Sequence, residues 1–199
     1  ALGLWGEASL RYTRYNVDDE DGDPYSIRRG FWYAHMGWML RNYPSANIDF
    51  SNALDLQADP IVMFQHRHYL GIALGMNIAF PLAVGAACGD PWGFLLLGGL
   101  LRLVVNHHFT FFINSLAHVW GTRRFATPDE SRNNFLLALV TLGEGWHNNH
   151  HYYMSSVRQG IRWWEVDITF YVLKALSWLG IARDLRPFRV PGASGPHSA

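Results

Sequence analysis

The segment HNNHH at residues 147–151 contains three histidines whose spacing could hold a metal ion. In a helix, residues three and four positions apart share one face, so these imidazoles would point the same way. Such a cluster is costly to bury unless its nitrogens are satisfied, and a divalent metal satisfies them well. Glu144, just before the segment, could orient one of the rings through a hydrogen bond. The alternative is a solvated polar helix end that binds nothing.

The segment NSLAH at residues 114–118 offers a second candidate. Asn114 and His118 are four positions apart, so they also share a helical face. A single histidine in such a place more often belongs to a hydrogen-bonded core than to a metal site. His118 is nevertheless a candidate metal ligand because it follows an apolar segment, at the helix end where the 147–151 cluster should also lie. His107 and His108 are a weaker pair, since adjacent residues on a helix diverge by about 100°.

Composition narrows the class of protein. Lys plus Arg and Asp plus Glu both number 16 in the 199 residues, so the formal net charge is zero. A nucleic-acid-binding protein would usually carry a net basic footprint, which argues against that class. Charged residues make up only 16 %, well below the share in an average soluble domain. A single cysteine, Cys88, excludes an intramolecular disulfide framework.

Two apolar segments predict a helical hairpin that crosses a membrane. Residues 69–88 contain no formally charged side chain and are long enough to span a hydrocarbon layer of about 30 Å. A short Gly-Asp-Pro turn leads into a second apolar segment, 92–114, so the two helices must be antiparallel. Arg102 lies inside the second segment, and a cation at mid-bilayer is expensive, so its lipid-facing part should be short. A soluble all-α protein with a buried hairpin is the alternative.

The predicted fold class is an all-α membrane protein, in which a transmembrane helical hairpin at about 69–111 carries a cytosolic helical cap with the histidine motifs. Arginines concentrate beyond the outer ends of the hairpin, whereas its turn carries only Asp90. The positive-inside rule therefore places the histidine motifs on the cytoplasmic face of an integral membrane protein.

Further elements and regions follow from the remaining sequence patterns. We expect an amphipathic or interfacial helix at 31–41, a short apolar helix at 135–142 and an amphipathic helix at 168–182 that packs on the cap. The chain then divides into a polar, disrupted N-terminal segment (1–30), a main domain (31–186) and a flexible tail (187–199).

Three motifs together resemble the membrane acyl-CoA (delta-9 type) fatty acid desaturases. They are DPYSIRRGFWYAHMGWMLR (23–41), NSLAH (114–118) and GEGWHNNHH (143–151), in this order along the chain. The similarity covers residues from about 18 to 186 and includes RNN (132–134) and WWEVD (163–167). A single HxxHH motif would not be specific, since alkane and carotenoid hydroxylases also use histidine motifs. The combination of the three motifs is specific for the desaturase family.

The resemblance implies a helical membrane protein whose cytosolic cap holds a non-haem di-iron centre, ligated almost entirely by histidine, above a bent tunnel for the acyl chain. Such enzymes insert a cis double bond into an acyl thioester, bound to CoA or to a carrier protein. They use dioxygen and two electrons from a donor such as cytochrome b5 or ferredoxin. The expected partners are thus the thioester, the electron donor and the lipid bilayer, with no nucleic acid.

The motif match also carries residue roles over to this chain. It implies that His147, His150 and His151 are iron ligands, that His118 is an isolated ligand and that Asn114 reaches iron through a water molecule. Arg41 matches a basic position near the CoA phosphates. Glu144 and Asp167 are expected to support the ligands from the second layer of contacts.

The chain departs from the family in its N-terminal part. The family's first two histidine motifs, HxxxxH and HxxHH, are missing, and no histidine precedes His35. We therefore expect at most one well-ligated iron site, a truncated or disrupted desaturase, and no desaturation by this chain alone. A non-catalytic membrane lipid-binding or scaffold paralogue is the second hypothesis, and a histidine-motif hydroxylase is the third. The intact C-terminal motifs favour the first.

Overall fold

The computed structural model describes residues 18, 23–40 and 54–188, which fall into two units that divide after His108. Within these ranges the chain forms helices and turns with two isolated β-bridges, and it contains no β-strand. The predicted all-α class is thus confirmed for the described residues. Arg41, most of the predicted segment 1–30 and residues 189–199 of the predicted tail lie outside them.

The first unit begins with short helical pieces. A 3₁₀ turn, Ile27–Arg29, leads into helix α1 (Phe31–His35), and a second 3₁₀ turn follows at Gly37–Leu40. The structure therefore differs from the single helix expected at 31–41. Met36 leaves the helical conformation, with φ at −146°, and this ends α1 after five residues.

Two more helices precede the apolar hairpin, α2 (Leu54–Ala58) and α3 (Pro60–Arg67). Asp59 begins α3, because its Oδ1 accepts hydrogen bonds from the backbone N–H groups of Ile61 and Val62 at 2.8 and 3.2 Å. Proline at the first helical position lacks only an N–H that has no helical partner there. Local sequence thus sets this helix start.

The hairpin consists of α4 (Tyr69–Cys88) and α5 (Pro91–His118), and both are long and apolar enough to cross a membrane. Gly89 ends α4 in the left-handed region with φ at 86°, where glycine is least strained. Asp90 begins α5, since its Oδ1 accepts the Gly93 N–H at 2.8 Å. At Gly85 an added Cβ would lie 2.7 Å from Phe94 Cβ and from backbone atoms of the turn, so the helices meet closely there.

Arg102 contacts the opposite helix of the hairpin. Its Nε donates to Gly98 O at 2.8 Å, and its Nη2 donates to Asn77 Oδ1 on α4. Asn77 in turn donates from Nδ2 to Ala73 O at 2.8 Å. Both helices widen to π-helical turns here, at Gly75–Ala79 and Phe94–Leu101. Arg102, the cation inside the second apolar segment, therefore has a polar partner, which reduces the free-energy cost of placing its charge within a bilayer.

The second unit contains α6 (Phe135–Val140), α7 (His147–Tyr152) and α8 (Ile168–Trp178), connected by ordered loops. Helix α8 is found where the sequence predicted an amphipathic helix. Trp178, its last residue, does not pack on the unit, since it is 77 % exposed. The interior of this unit is largely polar. Its buried polar residues include Asp129, Ser131, Asn133, Asn134, His147, Asn148, Asn149, Glu165 and Asp167. Buried polar groups require hydrogen-bond partners, so this interior is held by specific contacts.

Gly145 joins the turn before α7 to α6. A Cβ at this position would lie 2.1 Å from the backbone nitrogen of Ala138, so only glycine fits without a shift of the backbone. The Gly145 carbonyl accepts the Asn134 N–H at 2.8 Å, just before α6 begins. These backbone contacts fix where α7 starts, and with it the first histidine of the 147–151 segment.

Candidate metal centre

Three imidazoles from two separate stretches of chain converge in the second unit. Nε2 of His147 lies 3.1 Å from Nε2 of His118 and 3.0 Å from Nε2 of His151. The possible ligand atoms of the three side chains all lie within 4.8 Å of one another. His118 closes the 3₁₀ turn at the end of α5, whereas His147 and His151 lie one turn apart on α7. The spacing argument from the sequence thus leads to an actual convergence of nitrogens.

The donor set fits a metal ion. Two nitrogens bound at right angles to an ion at about 2.1 Å would be about 3.0 Å apart, close to the separations observed here. A proton on Nε2 of His147 can serve only one of its two neighbours, whereas a cation can serve all three nitrogens. Imidazole is a suitable ligand for iron, zinc, copper and nickel, so the cluster itself does not select one metal.

Burial keeps His147 neutral. Its side chain is 8 % exposed, and burial together with the neighbouring His151, His118 and His150 lowers the pKa of His147 well below its ordinary value. A neutral imidazole has a lone pair available, which is the form that binds metals.

His150 and Asn114 lie next to the cluster without joining the three convergent nitrogens. The ring centre of His150 is 6.1 Å from that of His147 and 5.7 Å from that of His151. Asn114 is the last residue of the α-helical part of α5, one turn before His118, and no hydrogen bond among the described residues joins it to the three imidazoles. The roles expected for these two residues remain predictions.

The two carboxylates expected behind the ligands have other positions. Asp167 begins α8 by accepting the Phe170 N–H at 2.9 Å, and it also accepts the N–H groups of Gln159 and Gly160. Glu144 lies in the turn before α7 with an exposed side chain. Neither carboxylate hydrogen-bonds an imidazole within the part of the chain that the structure describes.

A carboxylate that the sequence did not indicate contacts the cluster instead. Oδ2 of Asp129 accepts a hydrogen bond from Nδ1 of His151 at 2.8 Å. Although burial opposes its ionisation, hydrogen bonds from His151 and Ser131 hold the pKa of Asp129 well below its ordinary value. Asp129 lies in a loop 22 residues before His151, so spacing along the chain gives no signal of this pairing.

Asn148 and Asn149, between the histidines, attach α7 to the surrounding loops. Oδ1 of Asn148 accepts the backbone N–H groups of Arg124 and Phe125, both at 2.8 Å. Oδ1 of Asn149 accepts from Asn133 Nδ2 at 2.8 Å, and its Nδ2 donates to Gln159 O at 2.9 Å. The asparagines thus hold one side of α7 against the interior of the unit, while the histidines on the same helix form the cluster.

Glu165 is the acceptor for a further part of this network. Its side chain is 2 % exposed and pairs with Arg124, which donates from both terminal nitrogens. Its Oε2 also accepts the backbone N–H groups of Ile161 and Arg162 at 2.7 and 3.0 Å, and Asn149 Nδ2 at 3.1 Å. Burial opposes ionisation of Glu165, but these hydrogen bonds outweigh it and lower the pKa of its carboxyl.

The lowered pKa of Glu165 predicts a specific loss of stability in acid. A carboxyl with a depressed pKa in the folded state stabilises the fold above its unfolded pKa, and this contribution disappears as pH falls through the folded value. The difference in melting temperature between the unmodified chain and Glu165→Gln should be constant above about pH 5 and shrink below it. Thermal unfolding in detergent across this range measures it, and parallel curves for the two proteins would contradict the prediction.

Comparison with known proteins now identifies the chain's family. The family model described as fatty acid desaturase matches residues 6–179. A probable acyl-CoA desaturase of Schizosaccharomyces pombe is 44 % identical over 189 residues, covering 94 % of this chain and 39 % of the relative. The sn-1 stearoyl-lipid 9-desaturase of Synechocystis is 36 % identical over 184 residues, covering 92 % and 56 %. Acyl-CoA desaturase 1 of Saccharomyces cerevisiae is 38 % identical over 185 residues, covering 92 % and 36 %.

The chain thus spans between 36 % and 56 % of the length of these three relatives, while they match nearly all of it. The resemblance noted from the motifs is confirmed, because the family model covers both the apolar hairpin and the segments that supply the convergent histidines. The chain belongs to the fatty acid desaturase family.

Proposed function

We propose that this chain supplies one iron-binding half of an enzyme that inserts a cis double bond into a fatty acyl chain. The observation that carries the proposal is the convergence of His118, His147 and His151, whose Nε2 atoms lie 3.0 and 3.1 Å from one another in two of the three pairs. These nitrogens come from motifs 29 positions apart, and a chance approach of two buried imidazoles and a third that is 10 % exposed would be costly without a cation.

In this proposal the three convergent histidines hold the iron, His150 is a further ligand, and Asn114 reaches the metal through water. Bound iron would supply the oxidising power for the reaction, which also needs dioxygen and two electrons. The chain's own residues position the ligands and keep His147 neutral in a buried site. One well-ligated iron is the most that this set of residues supports, whereas the family uses two.

The proposed substrate is an acyl thioester, on CoA or on a carrier protein, and Arg41 would contact the CoA phosphates. Two of the relatives are named as acyl-CoA desaturases, and the Synechocystis relative is named for a lipid-linked stearoyl chain. What these substrates have in common is a fatty acyl chain. Cytochrome b5 or a ferredoxin would supply electrons, since neither the chain nor the acyl group provides them.

We place the protein in the bilayer through α4 and α5, with the histidine cluster on the cytoplasmic side. The two helices have the length and composition of membrane spans. Arg67, Arg123 and Arg124 lie beyond the outer ends of the hairpin along the chain, and the turn carries only Asp90, which agrees with the positive-inside rule.

A chimera tests the reaction. Residues 23–179 of this chain, from the DPYS motif onward, replace the matching residues of the S. pombe relative, which keeps its own N-terminal part with the family's first two histidine motifs, and the chimera is expressed in S. cerevisiae cells that lack their own acyl-CoA desaturase. We expect growth without added unsaturated fatty acid and an unsaturated product by gas chromatography with mass spectrometry. A hydroxylated product would select the hydroxylase alternative. No product at a normal membrane level of the chimera would select the non-catalytic paralogue.

The chain alone should behave differently. Purified in detergent, loaded anaerobically with Fe²⁺ and supplied with acyl-CoA, dioxygen and a reduced electron donor, it should bind no more than about one iron and form no product. Two bound irons with product formation would show that the ligand set is more complete than proposed.

A further inference from the structure

The ring of His151 is fixed by a contact on the side away from the cluster. Asp129 and His151 are joined at 2.8 Å through Oδ2 and Nδ1, and their side chains are 3 % and 10 % exposed. The other ring nitrogen of His151, Nε2, lies 3.0 Å from Nε2 of His147. In a neutral imidazole one nitrogen carries the proton and the other a lone pair. A proton held at Nδ1 by the carboxylate therefore leaves the lone pair on Nε2, which faces the cluster.

Asp129 is itself held in place by a second set of contacts. Its Oδ1 accepts the Ser131 N–H at 2.9 Å and the Thr127 hydroxyl at 3.1 Å, so Oδ2 remains for His151. Asn148 donates from Nδ2 to Thr127 Oγ1 at 3.2 Å and to Ser131 Oγ at 3.4 Å. Because Asn148 and His151 lie on the same helix, the loop that holds the carboxylate is attached to the helix that carries the ring.

From this geometry we propose that Asp129 is a positioning residue of the metal site, which orients the His151 ring and keeps its Nε2 lone pair directed at His118 and His147. The role rests on the proposed function in one respect, because it assumes that the cluster binds a metal. The orientation itself is a property of the metal-free chain. The supporting roles expected for Glu144 and Asp167 stay predictions beside it.

The proposal predicts a defined loss of metal affinity. Carboxylates that accept the second N–H of a ligating imidazole typically contribute about 10–100-fold in metal affinity. Asp129→Asn keeps the shape of the side chain but removes its charge and gives it a donor, which can force the His151 ring to change its protonated nitrogen. We therefore expect Asp129→Asn to bind Co²⁺ about 10–100-fold more weakly than the unmodified chain.

The first experiment measures the position of the proton without metal. The full chain, labelled with ¹⁵N-histidine and embedded in lipid, is studied by solid-state NMR, and the His151 signal is assigned by its loss in His151→Gln. We expect Nδ1 to carry the proton in the unmodified chain and the population protonated at Nε2 to rise in Asp129→Asn. A His151 ring protonated mainly at Nε2 in the unmodified chain would overturn the proposal.

The second experiment separates positioning from a general effect on the fold. Co²⁺ affinity is measured for Asp129→Asn, His151→Ala and the double variant. If Asp129 acts through His151, the Asp129→Asn change should have no further effect in the His151→Ala background. Additive losses would overturn the proposal, because they would mean that Asp129 supports the site by another route. Glu130→Gln, at the next residue, changes an exposed carboxylate paired with Arg123 and Arg132 and should leave Co²⁺ affinity unchanged.

The two proposals fail in different ways. If the chimera forms no unsaturated product while Co²⁺ affinity still depends on Asp129 through His151, the reaction is wrong and the positioning role stands. If the chimera is active while Asp129→Asn leaves both the proton position and Co²⁺ affinity unchanged, the positioning role is wrong and the reaction stands.

Discussion

Replacing His147 with alanine should weaken iron binding by more than about 100-fold, beyond the loss expected for a supporting residue. His147 is the central member of the cluster, since its Nε2 is the atom that both other nitrogens approach, at 3.1 and 3.0 Å. Removing it leaves two imidazoles without the nitrogen between them. Metal analysis of the detergent-purified chain, after loading with Fe²⁺ and removal of excess metal, measures the effect.

The matched control is His68→Ala. His68 is exposed and lies between α3 and α4, where its ring contacts Phe64 at a centroid distance of 4.6 Å. Its removal deletes an imidazole that is not a member of the cluster, so bound iron should not change. Equal iron in His147→Ala and the unmodified chain would mean that the metal binds elsewhere, and the proposed iron site would be wrong. Thermal unfolding of His147→Ala should stay close to that of the unmodified chain, since the backbone of α7 is held by the asparagines.

The parts of this site that the sequence predicted are those governed by local periodicity. Helical spacing brings His147 and His151 to one face of α7, and a hydrophobic run ending in NSLAH places His118 at the end of a long helix. The hairpin followed from two apolar runs, of which the second contains Arg102, and from a Gly-Asp-Pro turn between them. In each case the relevant interaction lies within about one helical turn or one short connection.

The parts that the sequence did not predict depend on contacts between distant loops. The supporting roles expected for Glu144 and Asp167 stay predictions, since Asp167 begins a helix and neither carboxylate hydrogen-bonds an imidazole among the described residues. Asp129 is adjacent to other polar residues in a loop with no periodic pattern, so nothing local distinguishes it from a solvated turn. The roles of Asn148 and Asn149 were likewise hidden, because their partners lie 10 to 25 residues away.

The largest effect on stability should come from Glu165→Ala. The substitution removes the acceptor of Arg124, of two backbone N–H groups and of Asn149, and it leaves those donors in a largely buried region. Breaking a buried ion pair by removing one partner typically destabilises a fold by about 3–5 kcal/mol. For a chain of this size that corresponds to a fall in melting temperature of about 6–20 °C, which tryptophan fluorescence during heating in detergent can follow.

The control for Glu165→Ala is Glu130→Ala, which removes a carboxylate that is 48 % exposed and pairs with Arg123 at 3.2 Å. An exposed pair contributes about 0–1 kcal/mol, so its melting temperature should fall by no more than about 4 °C. If the melting temperature of Glu165→Ala fell by no more than that of Glu130→Ala, the Arg124–Glu165 pair would not hold the unit together. Because Asn149 connects Glu165 to α7, Glu165→Ala should also weaken iron binding, but only together with the loss of fold. His147→Ala should lose iron while keeping the fold, and this contrast separates the residues that hold the metal from those that hold the helix.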